Sequence, residues 1–251
     1  MSSSMDSAET DRLYSAWRRL GVNFTGTSSA DPVEIEPLIL DTARAAGSDA
    51  RLTICAASWL AYYHSFVDGR RLSELTRHAK PAVRPYLGIL LSLAVEASEG
   101  AGKAPEFDAA LSHCKPRSHP RALYDSIEAS PVMRAWMRAH GLPLYRRWGF
   151  WHDEATLKKS SVHELGWILK VPELRARALC GPSIEAALLT QAMHHESNAR
   201  SLSRKLGVSY AAAHAAVERL VGRGLLLRHR NGVRQDLNLS PFAREALQAG
   251  S

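Results

Sequence analysis

His194, His195 and Glu196 stand in a row, and as residue types they are metal ligands or, for the carboxylate, a general base. Consecutive helical residues project in different directions, whereas a helix holds a metal between histidines four places apart. The row lacks that HExxH spacing and reads as a polar turn. His113-Cys114 sets a base beside a nucleophile, but such partners meet through the fold rather than as sequence neighbours, so Cys114 reads as a buried thiol. RRWGFWHDE, residues 146 to 154, is the densest aromatic and polar cluster in the chain. Arg146, Arg147, Trp148, Trp151 and His152 could line a ligand pocket or partner surface, or stack on bases. The competing account is that Trp148, Phe150 and Trp151 pin a loop to the core while the charges of Asp153 and Glu154 stay in water, and the Lys158-Lys159 pair downstream could extend a phosphate-contacting surface or simply be solvated. Neither a phosphate-cradling GxxxxGK[ST] or GxGxxG loop nor a GxSxG nucleophile turn is present. The expectation is a protein that is not an enzyme and carries no metal and no cofactor.

The elements that would position these residues are helical. In DARLTICAASWLAYYHSFVD, Leu52, Ala56, Trp59, Leu60, Tyr63 and Phe66 recur at three- and four-residue intervals, the mark of one helical face. PAVRPYLGILLSLAVEAS is apolar all round, with Val83, Leu87, Leu90, Leu91 and Ala94, and predicts a central helix. EGAGKAPE, 99 to 106, and KPRSHPR, 115 to 121, break the pattern and predict loops. Further helices are predicted at 121 to 129, 131 to 140 and 160 to 179, with no strand series and no internal repeat in the first 180 residues. Gly181-Pro182 can end one helix and open the next, which sets a predicted boundary between an all-α domain, 1 to 180, and a second domain, 181 to 251.

Charge separates the two parts. Residues 181 to 251 hold nine Lys or Arg against five Asp or Glu, a surplus of four, while the first 180 hold 23 against 20, a surplus of three. A surplus concentrated in the shorter part favours a polyanion, because each cation set against a phosphate releases counterions. Cys55, Cys114 and Cys180 are odd in number and far apart, which suits reduced thiols. The polar, acidic start MSSSMDSAETDR and the lack of any long apolar run predict a cytoplasmic protein with no membrane partner.

After the boundary come an apolar helix with Ile184, Leu188 and Leu189, the turn HHESN and the short helix ARSLSRKL. Gly207 then turns the chain, Ser209 can cap the helix YAAAHAAVERLVG, and two strand-like runs, Leu225 to Arg230 and Val233 to Leu239, meet at Asn231-Gly232, a hairpin dipeptide. Ser240-Pro241 opens a last helix. This order, with LSRKLGVSYAAAHAAVERLVGRGLL at its centre, resembles the winged helix-turn-helix domains of bacterial regulators of the MarR and ArsR groups over residues 184 to 248. The fold it implies is mainly α, with an all-helical amino-terminal domain and a carboxy-terminal winged helix-turn-helix whose wing is a two-stranded β-hairpin.

The resemblance implies duplex DNA as partner and transcription control as use, with the second helix of the motif in the major groove. With Ala213, Val217 and Leu220 in the core, Tyr210, Ala211, His214, Ala215 and Glu218 face outward. Tyr210 and His214 are the candidates for base hydrogen bonds, and Ala211 or Ala215 for a thymine methyl. Ser209 joins them at the start of the helix. Arg200, Arg204 and Lys205 on the preceding helix, with Arg228, Arg230 and Arg234 on the hairpin, are the candidates for phosphate or minor-groove contacts. Binding arithmetic favours a homodimer, since one winged helix covers little DNA. The first domain would supply a dimer contact, a ligand pocket or a surface for a protein partner. The alternative is an adaptor or antitoxin-like subunit whose winged helix packs against protein; an enzyme would need a deep pocket near 113 to 119 or 146 to 154.

Overall fold

The computed structural model describes residues 7–98, 104–194, 198–231 and 234–248, apart from the side chains of residues 194, 230, 231, 234, 235 and 248. The chain is mainly helical and divides into two compact units, residues 1–163 and 164–251.

In the first unit α1 (Ser7–Arg19), α2 (Ile35–Ala45), α3 (Ala50–Tyr63), α4 (Gly69–His78), α5 (Arg84–Ala97) and α6 (Asp108–His113) build the core. Asp49 starts α3 by accepting from the Leu52 amide at 2.8 Å, and Leu52, Ala56, Trp59 and Leu60 are fully buried, as their spacing predicts. Phe66 is buried too, but from a 3-10 turn that follows α3. Val83, just before α5, and Leu87, Leu90, Leu91 and Ala94 along it are all buried, and α5 packs on α3. Three indoles sit in this core with their N–H groups satisfied: Trp17 to Thr42 Oγ1 at 2.8 Å, Trp59 to the Leu20 carbonyl at 2.7 Å and Trp148 to Ser92 Oγ at 3.0 Å. A buried indole donor left unpaired would cost free energy, so these contacts also fix ring orientation. Trp148 lies so close to α5 that a Cβ on Gly88 would stand 2.6 Å from its ring.

The rest of this unit departs from an all-helical reading. Arg121–Ala122 (β1) and Phe150–Trp151 (β2) pair in parallel, Arg121 with Phe150 and Ala122 with Trp151. The helix predicted at 121 to 129 is therefore a short strand followed by α7 (Asp125–Glu128), while α8 (Pro131–His140) forms as predicted, capped by Ser130 and followed by α9 (Pro143–Arg147).

The boundary falls at residue 164, not 181. The helix predicted over 160 to 179 breaks into a 3-10 turn at Lys159–Ser161, α10 (Leu165–Ile168) and α11 (Pro172–Cys180), because Pro172 cannot continue a helix but readily opens one. Ala176 of α11 shares one buried cluster with Leu188, Leu189 and Leu247, which assigns α11 to the second unit. That unit continues with α12 (Ile184–His194), α13 (Ala199–Leu206), α14 (Tyr210–Gly222), the antiparallel strands β3 (Leu226–Asn231) and β4 (Arg234–Leu239), and α15 (Pro241–Gln248). Among the described residues no helix is long and apolar enough to cross a membrane.

Candidate nucleic-acid interface

Helix α13 and the turn that leads from it to α14 are fixed by local chemistry. Asn198 Oδ1 accepts from the Ser201 amide at 2.9 Å and Ser201 Oγ accepts from the Asn198 amide at 3.1 Å, a reciprocal cap that starts α13. Gly207 ends it at φ +64, a conformation that glycine adopts without a Cβ penalty. Ser209 then caps α14, its Oγ accepting from the Ala212 amide at 3.2 Å. The cap uses the oxygen as an acceptor and leaves the hydroxyl proton able to donate to a ligand.

Leu202 and Leu206 of α13 and Ala213, Ala216, Val217 and Leu220 of α14 face the core with Leu225, Leu226, Leu237 and Leu239. Tyr210, Ala211, His214, Ala215 and Glu218 are exposed on the opposite side of α14. Tyr210 and His214 lie one turn apart with ring centroids at 5.8 Å. Arg200, Tyr210, His214, Glu218 and Arg228 share a small cleft of about 200 Å³. Arg200, Arg204 and Lys205 are exposed, and no carboxylate among the described residues pairs with them.

Arg228 is different. Leu226 pairs with Leu239 and Arg228 with Leu237, and since alternate strand residues share a face, Arg228 shares the buried face of the hairpin. Its guanidinium reaches α14 and pairs with Glu218, whose carboxylate also lies 3.5 Å from His214 Nε2. Arg228 thus reaches the expected surface, but as the counter-ion of Glu218 rather than as a free cation. The side chains of Arg230 and Arg234, the Gly232 half of the Asn231-Gly232 turn, and His195-Glu196 of the His194-His195-Glu196 row lie outside the described residues, as does the His194 side chain.

The structure disperses the 146 to 154 cluster. Trp148 is core; Arg146 donates to the carbonyls of Arg138, Ala139 and Gly141 at the end of α8; Arg147 stands 5.3 Å over the Trp148 ring. Trp151 lies under Arg138 at 5.6 Å, on a groove lined by α8. His152 alone of the five enters a separate cavity of about 510 Å³, together with its sequence neighbour Glu154 and with Arg51 and Tyr124, which sequence spacing does not link to it. Burial holds the His152 imidazole below its ordinary pKa. His113-Cys114 does not form a reactive pair: burial pushes the Cys114 thiol up to about 12, and its Sγ faces the Ala110 carbonyl at 3.5 Å. Among the described residues no group of three or more His, Cys, Asp or Glu is placed to hold a metal.

No protein-family model, curated protein or solved structure matches the chain.

Proposed function

We propose that residues 184 to 248 form a winged helix-turn-helix that binds duplex DNA, and that the protein acts in transcription control. The observation that carries the reading is the outer side of α14, where Tyr210, Ala211, His214 and Ala215 are exposed and where Tyr210 and His214 share a cleft with Arg200, while Arg204 and Lys205 are exposed on α13 with no carboxylate partner among the described residues. The helix, helix, helix, hairpin, helix order and the antiparallel β3–β4 pair support it. So does the surplus of positive charge in this part of the chain.

In this reading the early residues of α14 enter the major groove and the cations of α13 meet phosphates. Two aromatic or imidazole side chains among alanines give few hydrogen bonds to bases, so affinity is mainly electrostatic and discrimination modest. A single module of this kind buries about 600 to 1,000 Å² of its own surface on DNA, and two copies on a twofold site would raise affinity.

Selection of bound fragments from random duplex DNA tests the proposal. The expected result is enrichment of a short site, with Tyr210→Phe and His214→Ala shifting the enriched sequence more than the overall affinity. No enrichment, with no retention of DNA at low salt, would instead point to a protein partner for this surface.

A further inference from the structure

We propose that the cavity of about 510 Å³ in the first unit binds a small hydroxylated organic monocarboxylate, recognised by Arg51 and Lys158 at its rim and by Tyr124 within. The volume falls in the range of small-molecule sites, and Ile54 and Ile127 give it an apolar wall.

Two buried polar atoms of residues that line it have no protein partner among the described residues. Tyr124 is 6% exposed, yet its buried hydroxyl makes no hydrogen bond, and His152 Nδ1 is likewise buried without one. Their rings meet edge to face at 5.1 Å. Unmet buried donors and acceptors are costly, and a ligand hydroxyl that donates to the imidazole and accepts from the phenol would satisfy both. His152 suits that role because burial favours its neutral form, in which one ring nitrogen can accept.

The rim selects the charge. Arg51 follows the first residue of α3 and is held 5.6 Å over the Phe24 ring, so its guanidinium is positioned in advance. Neither Arg51 nor Lys158 pairs with a carboxylate among the described residues, while Glu154 is exposed at the same rim. Among the lining residues two cations stand against one carboxylate, a formal surplus of one positive charge that matches a monoanion, while the nearby Asp49 carboxylate is taken up by the Leu52 amide and the Tyr14 hydroxyl.

The test uses the full chain and a fluorescent probe of fitting size, 6-hydroxy-2-naphthoate, beside its neutral amide and 2-naphthoate, which lacks the hydroxyl. The acid is expected to bind saturably at one site per chain, with the amide about tenfold weaker, the loss of one charge-assisted contact. The double substitution Arg51→Gln/Lys158→Gln alters only exposed side chains and is expected to weaken the acid by about tenfold more than it weakens the amide. Tyr124→Phe should weaken 6-hydroxy-2-naphthoate but not 2-naphthoate, and should not lower the melting temperature of the free protein, because it removes an unsatisfied hydroxyl. The proposal is overturned if neither acid saturates, if acid and amide bind alike, or if the acid binds equally well to the wild type and the double variant.

Discussion

Glu218 is the one carboxylate on the outer side of α14, and by itself it would repel a phosphate backbone. Arg228 holds it, and the pair is half-exposed, with side-chain exposures of 46% and 36%. Exposed pairs of this kind are worth about 0.2 to 1 kcal/mol, so a phosphate can take over the guanidinium at small cost. Replacing Glu218 with Gln is expected to tighten duplex binding and to steepen its salt dependence by about one phosphate contact, read as the slope of log K against log salt. A weaker complex would mean that Arg228 serves the hairpin rather than DNA. In the first unit the decisive residue is His152. Its folded pKa is depressed by burial, so the unfolded chain binds the proton more readily, and stability is lost as pH falls below the ordinary value near 6.5. Urea titrations at falling pH should show a shallower acid loss for His152→Gln than for the wild type. An unchanged acid limb would place the destabilising proton elsewhere.

At the scale of elements, Asn198 sets the start of α13, and Gly207 and Ser209 set the turn from α13 to α14, three residues that satisfy helix ends within a few positions of themselves. Losing the Asn198 cap should cost the second unit about 1 kcal/mol, a typical value for an N-cap replaced by alanine. Equilibrium unfolding of Asn198→Ala checks this, and no change would show that α13 is held by packing alone. Such ends are legible in sequence because their causes are local: Gly207 and Ser209 announce themselves, as do the three- and four-residue spacings of α3 and the span of α8. The pairing of β1 with β2 is not legible. Each strand has two residues, too few for an alternating pattern, and their partners lie 29 positions apart, Arg121 with Phe150. The break at Pro172 could have been read from the proline, which forbids an unbroken helix across 160 to 179.

Across the whole molecule, two units each bury their own core, and the domain limit moves to residue 164 because α11 packs with α12 and α15. Sequence placed that limit at Gly181-Pro182, a true helix end inside the second unit. The candidate interface was legible where one helix carries it, since the period of α14 separates Ala213, Val217 and Leu220 from Tyr210 and His214. The Glu218–Arg228 pair was not, because strand register decides it. The cavity was legible only through His152; Arg51 and Tyr124 come from distant segments, and no spacing rule joins them.

Duplex binding through α13 and α14 is the claim on which the functional account turns. Its most direct measurement is the salt dependence of the full chain's affinity for duplex DNA, wild type against Arg200→Ala/Arg204→Ala/Lys205→Ala. Each lost phosphate contact removes about 0.9 from the slope, so the triple variant should bind more weakly with a slope lower by about 2 to 3. Equal affinity and equal slope for the two proteins would contradict the account.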